Sequence, residues 1–266
     1  MLTSLLKTRR FAPFFWTQFF GALNDNLFKN ALIILIVFQG AQWSAADSNV
    51  MVNVAAGLFI LPFLVLSPLA GQLADKLEKS RWIRLIKVGE IAIMGLAVLG
   101  LLLQSLWLLF AVLFLLGVQS SLFGPVKYSI LPQHLRSKEL VAGNGLVEMG
   151  TFVAILIGTL LGGLLVGSGN QGPTWVAISV TLFALLGYAT ARRIPKASAA
   201  APHLKLNWNL PAELARSIGF IRRQRSVMLA VIGIAWFWFL GAVLLTQFPN
   251  FTNDVLRGNE YVAVSC

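Results

Sequence analysis

Gly71-Gln72-Leu73-Ala74-Asp75-Lys76-Leu77-Glu78-Lys79-Ser80-Arg81 is a short charged hinge between two long apolar runs, about 50–74 and about 82–103. Crossing the hydrocarbon of a bilayer takes roughly 20 apolar residues as a helix. Both runs are long enough, and a hinge this polar belongs at a membrane surface. Five further runs qualify, at about 11–39, 106–127, 141–167, 174–191 and 226–247. The chain is 57% hydrophobic and only 12% charged, whereas soluble domains carry roughly 25% charged residues. Helices satisfy their own backbone hydrogen bonds in lipid. These observations predict an all-α membrane protein of about seven transmembrane helices.

The net charge of +11 is explained by where the cations fall. With the N-terminus cytoplasmic, one side of the membrane receives Lys7, Arg9 and Arg10, then Lys76, Lys79, Arg81, Arg84 and Lys87, then Arg136 and Lys138. The long connector 192–225 adds Arg192, Arg193, Lys196, Lys205, Arg216, Arg222, Arg223 and Arg225. Lys29 and Lys127 lie inside helices, and Arg257 alone falls on the other side. The outer connectors, 41–49, 104–105 and 168–173, hold no Lys or Arg. This is the positive-inside distribution, and it removes the need for a nucleic-acid partner. The basic residues before the first run resemble a signal peptide. However, Phe11 to Phe38 is far longer than a signal core of about 7–15 residues, so the run is read as a retained helix.

The first run contains Phe20-Gly21-Ala22-Leu23-Asn24-Asp25-Asn26-Leu27-Phe28-Lys29-Asn30. An ionisable residue near the centre of a membrane helix costs roughly 2.5–3.5 kcal/mol on insertion scales. Asp25 and Lys29 are four residues apart and are expected to pair along one face, with Gln18 on the same stripe and Asn26 beside it. The stripe is read as facing a water-filled cavity, against the alternative of an ion pair that only locks packing. A second cluster is expected nearer the cytoplasm. There the third run brings Glu90, the fourth ends in Gly124-Pro125-Val126-Lys127-Tyr128, and the fifth carries Asn144, Glu148 and Thr151. Lys127, Glu148 and Glu90 are expected at one depth, as an inner gate, a head-group site or a structural salt bridge. On the fifth run Gly158 with Gly162 and Gly163 with Gly167 are small-xxx-small pairs suited to close helix packing.

Residues 192–225 divide the chain. Pro195 to Pro202 is Ala/Pro-rich. Asn209 then stands where it would cap a helix with Leu210, Leu214, Ile218 and Ile221 on one face. That helix is a surface-lying basic amphipathic helix or simply a tether. The expected organisation is a six-helix unit at 1–191, a basic cytoplasmic linker at 192–225, and the truncated start of a second half at 226–266.

The hinge resembles the Gly-x-x-x-Asp-Lys/Arg-x-Gly-x-Lys/Arg-Lys/Arg signature of the major facilitator superfamily. Glu78 stands where glycine is usual and Ser80 takes one basic position. The resemblance implies that Gly71, Asp75, Lys76, Lys79 and Arg81 form a conformational switch, with Asp75 meeting a helix end of the other half. More narrowly, the first-run stretch, Gly124-Pro125-Val126-Lys127-Tyr128-Ser129-Ile130-Leu131, Asn144-Gly145-Leu146-Val147-Glu148 and Ile155-Leu156-Ile157-Gly158 are similar to bacterial lysophospholipid transporters. The similarity runs over almost the whole chain. It implies a secondary transporter of the bacterial inner membrane that brings lysophosphatidylethanolamine-type lipids to the inner leaflet for reacylation. Asp25, Lys127 and Glu148 are then its candidate transport residues. The Leu-Phe-Lys-Asn stretch is similar to fusions in which such a half precedes an acyltransferase and an acyl-carrier-protein synthetase.

No Gly-x-x-x-x-Gly-Lys-Ser/Thr phosphate loop is present, which argues against an ATP-driven pump. His134 and His203 are far apart and the single cysteine is Cys266, so neither a metal site, a disulfide nor a resident cofactor is expected. His134 has Glu139 five residues on, where an acyltransferase motif would need Asp. Two rival functions fit the same sequence. One is a proton-coupled exporter of small amphipathic compounds. The other is a membrane anchor for a fused acyltransferase.

Overall fold

The computed structural model describes residues 2–43 and 47–255, and Arg257 and Cys266 lie outside them. Among the described residues the chain is helical, with no strand. Eight principal helices follow in order: α1 (Ala12–Trp43), α2 (Ser48–Lys76), α3 (Lys79–Leu102), α4 (Leu106–Ser129), α5 (Leu140–Val166), α6 (Gly172–Ala191), α7 (Leu210–Arg222) and α8 (Arg225–Asp254). All but α7 are long and apolar enough to cross a membrane. The expected outer connector at 41–49 is shorter than the sequence suggests, because α1 runs to Trp43 and α2 restarts at Ser48; residues 44–46 lie outside the described ones.

The helix ends follow from local chemistry. Asp47 caps α2 by accepting from the Asn49 N–H at 2.7 Å. Glu78 caps α3, accepting from the Ser80 and Arg81 N–H groups. Asn209 caps α7 from the Ala212 N–H, as expected; α7 packs towards α2 and α8, with Leu210, Leu214 and Ile221 half-buried and Ile218 exposed.

Helix α1 is the centre of the bundle. It packs on α5 and α6, while α2 packs on α4, and α3 bridges α4 and α6. The α1–α5 seam is close because Gly158 and Gly162 face the α1 backbone. A Cβ added at Gly158 would meet the Leu23 carbonyl oxygen at 2.5 Å, and one at Gly162 would meet that of Leu27 at 2.7 Å. Small residues let membrane helices approach backbone to backbone in this way.

The apolar interior forms two clusters. One holds Phe11, Phe14, Phe15, Ile83, Val126 and Val147. The other holds Leu23, Leu27, Phe28, Met94, Leu113, Leu116 and Ala154. Gln18, Lys87, Glu90, Gln119 and Ser120 fall between these two sets along their helices. The polar layer is therefore stacked where the two apolar clusters meet.

Residues 194–207 do not hang free. Ala197 accepts from the Lys79 N–H and donates its own N–H to Glu78 Oε1, both at 2.9 Å. Ala201 N–H donates to the Asp75 carbonyl at 2.8 Å. Asn207 N–H donates to Gln72 Oε1 at 2.7 Å, and Gln133 donates to the Ser198 carbonyl. The connector is thus strapped across the hinge.

Candidate functional site

Asp25 and Glu90 lie at the centres of the spans Ala12–Phe38 and Lys79–Leu102. Around them α1, α3 and α4 build a sealed polar cluster. Lys87 Nζ is 2.5 Å from Glu90 Oε2, with the two side chains 1% and 0% exposed. Gln119 Nε2 donates to the same oxygen at 3.0 Å, and Asn24 Nδ2 donates to Glu90 Oε1 at 3.0 Å. Ser120 Oγ donates to Asp25 Oδ2 at 2.5 Å and lies 3.0 Å from Gln119 Oε1. The Glu90 carboxylate is therefore served by three donors, as a buried charge must be. Asp25 Oδ1 and Asn24 Oδ1 are buried without a partner among the described residues.

A second cluster joins α1, α4 and α5. Lys127 Nζ donates to Thr151 Oγ1 at 2.8 Å, and Thr151 Oγ1 donates to Gln18 Oε1 at 3.0 Å. Gln18 Nε2 reaches the Val147 carbonyl at 3.4 Å. Lys127 Nζ also lies 3.8 Å from Glu148 Oε1, and Tyr128 donates its hydroxyl to the same oxygen at 2.5 Å. Here the side chains are 13% exposed at Lys127 and 38% at Glu148. This cluster is open on one side, and a ligand could displace a partner without dismantling the bundle.

The geometry separates residues that the sequence grouped together. Lys127 and Glu148 are neighbours, as expected, but Glu90 is not with them. Helix α3 begins at Lys79, earlier than the apolar run, which puts Glu90 at mid-span, where Lys87 satisfies it. Lys87, read as a surface cation, is accordingly a core residue. The Asp25–Lys29 pair is not formed. Lys29 Nζ bonds Asn26 Oδ1 at 2.9 Å and lies over the Phe59 ring, while Asp25 takes Ser120 from a neighbouring helix. Gln18 faces Thr151 instead of sharing a stripe with Asp25. Asn144 is exposed and back-bonds to the Leu140 carbonyl. Asn24, Lys87, Gln119 and Ser120 were missed. The Lys87-x-x-Glu90 spacing was their one visible signal, since it places a cation and an anion on one helix face.

In the hinge, the Asp75 side chain is exposed and Lys76 ends α2. Lys79 is 1% exposed and donates to the Ala74 carbonyl at 2.9 Å, closing the turn from inside. Arg81 is exposed, 3.8 Å from Glu78. No neighbour crowds Gly71. Glu78 is half-buried, and burial pushes its carboxyl up; donors from Ser80, Ala197 and Arg81 outweigh this and hold it below the usual range. Burial lowers His134, which sits against the backbone of Pro195 and Lys196. Among the described residues no group of His, Cys, Asp and Glu is placed to hold a metal.

Comparison with known proteins gives a consistent picture. The Major Facilitator Superfamily profile matches residues 14–265. The chain is 29% identical over 247 residues to the lysophospholipid transporter LplT of Photorhabdus laumondii, covering 90% of this chain and 56% of that protein. It is 29% identical to the same-named protein of Pectobacterium carotovorum (85% and 52% covered) and 27% identical to that of Escherichia coli (85% and 54%). It thus spans about half the length of the curated relatives it matches. A crystal structure of the peptide transporter POT with alafosfalin superposes with a TM-score of 0.54 at 17% identity, over 91% of this chain and 51% of that one.

Proposed function

Since the chain belongs to the major facilitator superfamily, we propose that it supplies the first half of a secondary transporter for lysophospholipids, with α8 opening the second half. Transport proceeds by alternating access, one half rocking against the other around a midplane site. Similarity to proteins named lysophospholipid transporters supports the substrate class. The observation that carries the site is the half-open Lys127–Glu148–Tyr128 cluster, where the last turn of α4 meets α5. Lys127 meets the lipid phosphate there and Glu148 the amine of a phosphoethanolamine head, each releasing the other as the head enters. Gln18 and Thr151 hold the Lys127 ammonium in position. Asn26 and Lys29, both half-buried, form the next polar step along α1, with Asp25 behind them at the edge of the sealed cluster, and Asp75, exposed beside Lys76 at the hinge, is left to meet the second half.

In this reading the N-terminus and residues 192–225 are cytoplasmic, in a bacterial inner membrane. The lipid is delivered to the inner leaflet for reacylation by a fused or associated acyltransferase and acyl-carrier-protein synthetase. The test is uptake of labelled lysophosphatidylethanolamine into inner-membrane vesicles carrying the full-length protein. Loss of uptake in Asp25→Asn and Lys127→Ala variants that still insert supports the reading. Unchanged uptake removes those residues from the path.

One observation favours a second reading, a proton-coupled exporter of amphipathic compounds. Asp25 Oδ1 has no donor among the described residues, which suits a carboxyl that takes up a proton. Transport driven by a pH gradient and indifferent to competing lysolipid would select it.

A further inference from the structure

The N-terminal end of the bundle carries a feature that the transport path does not use. A cleft of about 1000 Å³ lies between the start of α1 and the end of α6, lined by Lys7, Thr8, Arg9, Arg10, Arg192 and Arg193 among others. Its cations come from two stretches about 180 residues apart in sequence. The two helices that flank it are joined further along, where Thr17 and Thr190 are hydrogen-bonded at 3.0 Å and Phe20 stacks on Phe183. Of the five cations, Arg10 is neutralised by a two-pronged bond to Glu139 at 2.9 and 2.7 Å. Lys7, Arg9, Arg192 and Arg193 are exposed and have no ion-pair partner among the described residues.

The positive-inside rule accounts for cations at this end, but not for their convergence from two helices on one concavity. Four uncompensated cations around a cleft repel one another and call for an anion. The cleft opens at the level where α1 enters the apolar layer. Trp16, 41% exposed one turn in, stands where interfacial tryptophans do. Basic pockets between membrane helix ends are suited to phosphate head groups.

We propose that this cleft seats the phosphate of an anionic membrane phospholipid, whose acyl chains run along α1 and α6 beside Trp16 and Phe20. The lipid clamps the first and last helices of the six-helix unit together and is not transported. A cation at an anionic lipid surface is worth about fivefold in binding, so several together make a selective site.

The experiment uses the purified full-length protein, titrated in native mass spectrometry with dioleoylphosphatidylglycerol and with dioleoylphosphatidylcholine. The expected result is phosphatidylglycerol binding at least tenfold tighter. That preference falls below twofold in R9Q/R192Q/R193Q, persists in R9K/R192K/R193K, and persists in R222Q/R223Q, which removes the same kind of charge from α7 and α8's approach. If the triple Gln variant does not insert, R192E alone is expected to weaken the preference severalfold. Equal binding of the two lipids, or a preference untouched by R9Q/R192Q/R193Q or by R192E, would overturn the proposal. So would full competition by soluble glycerol 3-phosphate, which would make the site one for free phosphate. None of these readouts depends on lysolipid transport, so this proposal and the transport reading fail separately.

Discussion

The two polar clusters along α1 use similar residues to opposite ends. Around Glu90 every charge is enclosed, with Lys87 and Glu90 at 1% and 0% exposure and three donors on one carboxylate. Around Glu148 the same Lys–Glu pairing is stretched to 3.8 Å and more than a third of the Glu148 side chain is open. A closed pair cannot exchange partners without unpacking α1, α3 and α4. An open pair can trade its partner for a ligand. Under the proposed function, the Lys87–Glu90 pair holds the bundle and the Lys127–Glu148 pair handles what passes through it.

The sharpest way to break this contrast is to leave one member of the sealed pair alone. Removing one partner of a buried ion pair costs about 3–5 kcal/mol. Glu90→Leu, which strands Lys87, is expected to abolish a folded, detergent-stable protein, read as a collapse of the monodisperse size-exclusion peak. The double change K87M/E90M removes both charges and is expected to recover most of that loss. If the double variant is no better than Glu90→Leu, the pair has a role beyond mutual neutralisation.

A smaller but more specific effect is expected at the seam. Gly158→Leu would drive a side chain into the α1 backbone, and overpacking of this kind costs about 1–3 kcal/mol. A lowered unfolding temperature is the readout, and an unchanged one would show that α1 and α5 can part without loss.

The hinge strap should respond to acid. Glu78 and His134 are both held below their ordinary values of 4.5 and 6.5. A depressed group stabilises the fold above its unfolded pKa and loses that contribution as the pH falls through its folded one. Both groups therefore act in the same direction: the strap is firm at neutral pH and loosens below pH 6.5, more so below 4.5. Hydrogen exchange across 195–207, corrected for its intrinsic pH dependence, should accelerate on acidification, and the Glu78→Gln strap should lose the lower part of that response. The smallest effect is at Asn209→Ala, where loss of the cap costs about 1 kcal/mol and should fray α7 without touching α1–α6.

Much of this architecture is legible in the sequence, because a membrane helix is written as a long apolar run. All seven spans match within a few residues except the last, where α8 extends to Asp254. The α7 cap and the Gly158–Gly162 seam are also legible, since each depends on a local pattern. The pairing of the charges is less so. Asp25 and Lys29 have the right spacing to bond, yet Asp25 takes Ser120 from a residue 95 positions away. Partners across helices depend on rotation and depth, which no local spacing encodes. Lys87 shows the same limit. Beside Arg81 and Arg84 it reads as one more surface cation; its spacing from Glu90 is local, but Gln119 and Asn24, which complete the buried site, come from other helices. Glu78, a departure from the usual glycine, finds its reason in the strap, where it caps α3 and holds the Ala197 N–H at once.

The most direct test of the contrast is Lys127→Ala in the full-length protein, measured for lysophosphatidylethanolamine uptake at matched insertion and for thermal unfolding in the same preparation. Losing a charge-assisted hydrogen bond of about 1.5–3 kcal/mol should slow uptake by about tenfold or more, while the unfolding temperature stays close to that of the parent. Uptake at the parental rate, or unfolding as severe as that of Glu90→Leu, would contradict the assignment of the open cluster to transport.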